Sequence, residues 1–155
     1  MKKIIILIGL LLTSAIQAQE TDFCAKVKTE TDKITGEVRT FTEMARGNSV
    51  MKVVSKGKTK YYLRLNILNS SAVANPKGAI ALLANGDVIE RTNAPVTFDA
   101  NSGGNKFRYN SVIELTASEL KLLKEFPIIL IHLHTFDSDE LKLDKLMEQV
   151  KCLDL

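Results

Sequence analysis

His132 and His134 are the only two histidines among the 155 residues, and they alternate along an apolar run. Alternate positions of a strand share a face, so two imidazoles at this spacing can reach one metal ion. Asp137 or Asp139 stands near enough in sequence to add a carboxylate. His132, His134 and Asp137 are therefore the candidate metal set, and a small, metal-assisted hydrolase is the enzymatic reading of the chain. A stable zinc site takes three or four ligands, and no second histidine pair is present to complete one. The competing reading is of ordinary strand histidines, exposed or hydrogen-bonded. A period of two puts Ile128, Leu130 and Phe136 on the same face, which describes a partly covered surface rather than an open cleft.

Other reactive patterns are absent from the sequence. No serine sits in a Gly-x-Ser-x-Gly turn. No phosphate loop or dinucleotide fingerprint occurs, because the glycines of Asn101-Ser102-Gly103-Gly104-Asn105 lack the required strand and helix around them. Asp87, Glu90, Asp99 and Glu114 lie on sheet segments. Acid pairs for glycoside hydrolysis meet in space rather than in sequence, and solvent-facing strand positions account for these four. No catalytic residue is assigned, and no cofactor is expected.

The N-terminus fixes how the cysteines are read. Met1, Lys2 and Lys3 precede an apolar run from Ile4 to Leu12, and Ala15-Ile16-Gln17-Ala18 follow after Thr13-Ser14. A charged start, an apolar centre and a small-residue exit make a secretory signal peptide. The run is too short to span a bilayer, which takes about 20 apolar residues. Residues 1–18 are read as the leader, with cleavage after Ala18, and residues 19–155 as one globular domain. Thr21-Asp22-Phe23 before Cys24 are wrong for lipidation, so no stable membrane anchor is expected after cleavage. The destination is the periplasm or the exterior. An oxidising compartment then pairs the two cysteines, Cys24 and Cys152, in one disulfide closing almost the whole mature chain.

Charge narrows the partners. The chain carries 21 basic and 18 acidic residues. Removing Lys2 and Lys3 leaves it close to neutral, which excludes a nucleic-acid binder built on a concentrated basic face. Lys56, Lys58 and Lys60 flank a glycine turn and read as a solvated hairpin tip.

The elements that must position these residues are strands first and helices late. Residues 24–31 and 37–43 read as half-exposed strands around Asp32-Lys33-Ile34-Thr35-Gly36. Residues 50–55 and 59–68 flank Lys56-Gly57-Lys58. In the second of these, Tyr61, Leu63, Leu65 and Ile67 alternate with Tyr62, Arg64 and Asn66, the mark of a sheet with one buried face. Strands at 78–84 and 87–91 flank Asn85-Gly86, a hairpin signal requiring positive φ at both turn positions. Residues 95–98 make a short edge strand and 106–115 a longer one. Thr116 and Glu119 form a capping box for a short helix that Pro127 stops. Residues 127–136 are the most apolar strand, hence a central one. Asp137 and Glu140 suggest a second capping box, for a final helix carrying Leu143, Leu146, Met147 and Val150.

This order indicates an α+β fold. It predicts a mostly antiparallel sheet of about six to eight strands, curled or split into two layers, with two C-terminal helices. Tyr61, Phe107 and Tyr109 share the phase of the core, whereas Tyr62 does not. Tyr62 is thus a candidate for a binding surface, together with Asn69, Asn75 and Asn101 in the loops at 69–77 and 95–105.

The layout resembles that of small exported proteins of unassigned function from Bacteroidota-type bacteria. The likeness rests on the leader ending Ala15-Ile16-Gln17-Ala18-Gln19 and on Ile34-Thr35-Gly36-Glu37 after an early cysteine. It rests also on hairpins followed by Leu115-Thr116-x-x-Glu119-Leu120 and a terminal helix with the second cysteine. It implies export and brings no catalytic residue. The leading expectation is an exported binding or interaction module for an unidentified protein or glycan partner.

Overall fold

The computed structural model describes residues 22–100 and 105–154. The expected leader and Asn101 lie outside these residues. The strands are β1 (Lys28–Thr31), β2 (Val38–Phe41), β3 (Ser49–Ser55), β4 (Lys58–Asn69), β5 (Lys77–Leu83), β6 (Val88–Ala100), β7 (Phe107–Leu115), β8 (Ile128–Leu133) and β9 (Phe136–Asp137). They form one antiparallel sheet in the order β1-β2-β3-β4-β7-β6-β5-β8-β9. Helices α1 (Ala117–Glu125) and α2 (Asp144–Lys151) follow in the C-terminal third. The chain is α+β, with a strand count slightly above the expected six to eight.

Alternation decides which side of β4 is buried. Leu63, Leu65 and Ile67 enter the core, while Tyr62 and Arg64 stay half-buried on the opposite face. The β3–β4 turn is tight because Lys56 (φ 50°) and Gly57 (φ 73°) both adopt left-handed backbone.

The sheet curls at β6. The segments expected as separate strands at 87–91 and 95–98 are one continuous strand. Its first half pairs with β5 (Ile89 opposite Ala81), and its second half pairs with β7 (Phe98 opposite Tyr109). Pro95 lies near this change of partner, where a missing N–H is tolerated. On β5, Gly78 (φ 96°) sits in a register shift, and a Cβ there would stand 3.3 Å from the Thr92 carbonyl oxygen. The curl lets β4 pack against β8. Leu63, Leu65, Ala79, Ile89, Tyr109, Ile131 and Leu133 fill the core between them.

The Asn85-Gly86 turn also departs from expectation. Only Gly86 (φ 90°) has positive φ; Gly86 N–H donates to Leu83 O, and Leu83 N–H donates to Asp87 O. This is a three-residue connection, Ala84-Asn85-Gly86, with glycine at the left-handed position. It replaces the two-residue form that needs positive φ at Asn85.

The capping box of α1 forms as expected: Thr116 Oγ1 accepts from Glu119 N–H, and a Glu119 carboxylate oxygen accepts from Thr116 N–H. The second box does not form. Ser138 N–H donates to Ile131 O, Ile131 N–H donates to Ser138 Oγ, and Leu141 N–H donates to Ile129 O. Residues 138–141 are thereby held along β8, and α2 begins only after Leu143, which gives no side-chain cap. Strand β8 lies one place in from the sheet edge, next to β9, rather than at the centre.

Cys24 and Cys152 are joined across 128 positions, with Cα atoms 5.4 Å apart. Asp22 Oδ1 accepts from the N–H groups of Cys24 and Ala25. That winds Cys24–Lys26 into a 3-10 turn, so the bond ties this turn, not a strand, to the end of α2. No helix of the described residues is long and apolar enough to cross a membrane.

Candidate functional site

The two histidines part company. Leu82 pairs with Leu130 but Leu83 pairs with Ile128, which leaves Ile129 as an extra residue in β8. The extra residue shifts the phase, so Ile128, Ile131 and Leu133 all reach the core. Ile128 is therefore not on the histidine face. His132 pairs across the strands with Asp137, its Nδ1 2.8 Å from Asp137 Oδ1. His134 occupies the tight β8–β9 turn at φ 60°, and its Nδ1 lies 3.3 Å from the carbonyl oxygen of Lys77. Among the described residues, no three His, Cys, Asp or Glu side chains gather to hold a metal.

The outer face of the sheet offers a different site. Residues directly opposite one another in antiparallel strands share a face. Lys28 of β1 faces Phe41 of β2, Phe41 faces Met51 of β3, and Met51 faces Tyr62 of β4. Three apolar or aromatic side chains therefore line up in register on the side away from the core. Beside them, Ser49, Arg64 and Val112 form a second row across β3, β4 and β7. Residues 42–48 loop back over one end of this face and bring Met44 to it. The result is a trough of about 440 Å³ lined chiefly by Phe41, Met44, Met51, Tyr62, Arg64 and Val112, with Lys28 and Glu43 at its rim. Met44 is 59% and Val112 52% exposed. A shallower hollow at the β6 corner, against Asn93 and Pro95, continues from Val112.

A buried amide chain beside the trough holds Arg64. Asn48 Oδ1 accepts from the Asn66 backbone N–H at 2.7 Å. Asn66 Nδ2 donates to Asn110 Oδ1 at 2.9 Å and to Tyr109 O at 3.2 Å. Asn110 Oδ1 also accepts from Arg64 Nη2 at 3.2 Å. Asn66 and Asn110 are buried although they belong to the outer side, and Asn48 is buried within the returning loop, whose Gly47 lies against the Asn66 side chain. That loop closes through paired backbone bonds between Ala45 and Asn48, with Arg46 (φ 52°) and Gly47 (φ 86°) as its turn. Buried polar groups that satisfy one another hold a single geometry.

The other charged clusters do different work. Arg91 grips Glu119 with both terminal nitrogens, at 2.9 and 2.7 Å, tying β6 to α1. That grip, helped by Thr116 N–H and against the effect of burial, holds the Glu119 carboxyl down to about 2. Asp154 accepts from Lys124 Nζ at 2.6 Å, from the Tyr61 hydroxyl and from Lys52 Nζ at 3.3 Å. Lys124 first, then Tyr61 and Lys52, hold the Asp154 carboxyl down to about 2. Burial, reinforced by Asp154, pushes the Tyr61 hydroxyl up to about 12. These contacts lock α1 and Asp154, which follows α2, to the sheet.

Of the surface residues singled out from sequence, Tyr62 enters the trough. Asn69 Oδ1 accepts from Ser71 N–H, turning the chain into the 69–77 loop, where Asn75 takes φ 51°. The Tyr109 hydroxyl donates to Ser71 O and accepts from Val73 N–H, so this loop is pinned from the core. Asn69 and Asn75 are not among the trough residues. Sequence reasoning missed Phe41, Met44, Met51, Arg64, Val112 and the three buried asparagines. One signal was present: Phe41, Met51 and Val112 put apolar side chains in the phase where a water-facing strand would be polar.

No family model, curated protein or solved structure matches this chain.

Proposed function

We propose that this chain is an exported, disulfide-stapled binding module whose ligand seats in the trough on the outer sheet face. The observation that carries this reading is the in-register row of Phe41, Met51 and Tyr62, with exposed Met44 and Val112 beside it. Apolar surface grouped in a recess of this size, with a few fixed polar groups, is the usual make-up of a ligand site. The leader read from residues 1–18 supports export, and the Cys24–Cys152 bond fits an oxidising compartment.

Amide NMR of the oxidised chain against small apolar fragments tests the reading. Shifts centred on Phe41, Met51, Tyr62 and Val112 are expected, and Met51→Glu should abolish them while leaving the remaining spectrum in place. Shifts confined to the β8–β9 hairpin, or no saturable shifts at all, would overturn it.

A further inference from the structure

We infer that the trough selects a medium-chain acyl carboxylate, with its headgroup on Arg64 and its tail along Tyr62, Met51 and Phe41. This inference rests on the binding reading above and names the ligand's chemistry.

Arg64 and Arg91 are the two half-buried arginines among the described residues. Arg91 is neutralised by both oxygens of Glu119. Arg64 has no carboxylate within ion-pair distance among the described residues; its one hydrogen bond goes to the neutral amide oxygen of Asn110. A guanidinium taken partly out of water without a counter-charge is costly, and an anion from outside relieves that cost. The planar fork matches a carboxylate by two parallel bonds. Asn110, fixed by Asn66, holds the fork in the trough wall before any ligand arrives, which lowers the ordering cost of binding.

Nearby acids do not cancel this charge. Glu114, opposite Tyr62, is paired with Lys60 at 2.9 Å. Glu43 is exposed at the rim, where solvent screens it. Lys28 closes the far end on β1 and adds positive charge there.

The rest of the trough suits a tail. From β4 to β1 is three strand spacings, roughly 14 Å, the reach of an extended acyl chain of medium length. Met44 and Met51 are unbranched and adapt to a flexible chain, and each methylene taken out of water adds to the affinity. A peptide strand is poorly served here, because the backbone groups beneath the trough are already spent in the β2–β3–β4–β7 ladder.

The test is titration of the oxidised full chain with dodecanoate, below its micelle concentration, followed by amide NMR and calorimetry. 1-Dodecanol and acetate are the comparison probes. Dodecanoate should saturate the trough resonances and acetate should not. Arg64→Gln should weaken dodecanoate at least tenfold and 1-dodecanol by a much smaller factor. Arg64→Lys keeps the charge but loses the fork and should give an intermediate loss, which covers the case of a poorly folded glutamine variant. Equal binding of dodecanoate and 1-dodecanol, unmoved by either variant, would overturn the anion assignment while leaving the trough a binding site. No binding of either, with fragments still shifting Met51 and Tyr62, would overturn the acyl assignment alone. Trough resonances that move with protein concentration alone would make a second copy of the chain the occupant and overturn it too.

Discussion

A Cβ placed on Gly47 would stand 2.7 Å from Oδ1 of Asn66. The loop that walls the trough is therefore pressed onto the amide chain that holds Arg64, with no room for a methyl group. Gly47 also needs φ 86°. Gly47→Ala is expected to cost about 1–2 kcal/mol for the backbone and a further 1–3 kcal/mol or so for the overlap. Gly86→Ala is the control: its φ is 90° but its Cβ would meet nothing within 4 Å. That change should cost only the backbone share, about 1–2 kcal/mol. Urea unfolding of both variants checks the difference, and equal losses would show that the contact with Asn66 contributes nothing.

The disulfide predicts a large, separable effect. A closed loop of 128 positions lies where chain-entropy reasoning gives the most, and removing such a bond costs about 2–5 kcal/mol. Cys152→Ser paired with Cys24→Ser should lower Tm by roughly 10 °C. Calorimetry of the double variant beside the parent checks it; an unchanged Tm would show the bond to be idle.

Stability should fall at both ends of the pH scale for different reasons. Glu119 and Asp154 are both held down to about 2, from ordinary values of 4.5 and 3.8. The stability they contribute is present above those ordinary values and is lost as pH falls toward 2. Tyr61 is pushed up from 10.0 to about 12. Its contribution is complete below pH 10 and is lost as pH rises toward 12. Urea midpoints at intervals from pH 2 to 12 should therefore fall at both extremes. Glu119→Gln should flatten the acid arm only, whereas Tyr61→Phe should flatten the alkaline arm and, by removing a donor to Asp154, also shrink the Asp154 share of the acid arm. An alkaline arm that survives Tyr61→Phe would point to another group.

His132 and His134 make a separate prediction about metal. His132 is engaged by Asp137, and His134 sits in a turn beside the Lys77 carbonyl. Chelator should leave Tm unchanged. His132→Ala combined with His134→Ala should leave the metal content of the purified protein where it was. Metal retained by the parent and lost in the double variant would restore the metal-assisted hydrolase as the leading reading.

Where local rules acted alone, the structure was legible in the sequence. The alternation of Tyr61 to Ile67 and the Thr116–Glu119 box follow from residue type and spacing; the pairing of Cys24 with Cys152 follows from the sequence holding two cysteines behind an export leader. Where a distant partner intervened, they did not suffice. Asp137 and Glu140 carry the pattern of a cap, yet residues 138–141 gain more by bonding to β8. Asn85-Gly86 has the composition of a two-residue turn, but the register of β5 and β6 inserts Ala84. Tyr62 was identifiable because it stood out of phase with the core. Arg64 looked like any outward arginine on a strand, because its setting depends on Asn110 and on a loop from elsewhere in the chain. Three asparagines spread over sixty residues give no sign in sequence that they form one chain of bonds.

The bond between Cys24 and Cys152 also governs what a protease can achieve. Any cut between these residues leaves two pieces that remain covalently attached, with the pinned 69–77 loop as an accessible example. A nicked molecule would keep its core, its trough and its apparent size, and would separate into fragments only when reductant and denaturant are both present. For a protein read as exported, among secreted proteases and far from any cellular repair, a single closure near both chain ends converts most cleavage events from destruction into scars.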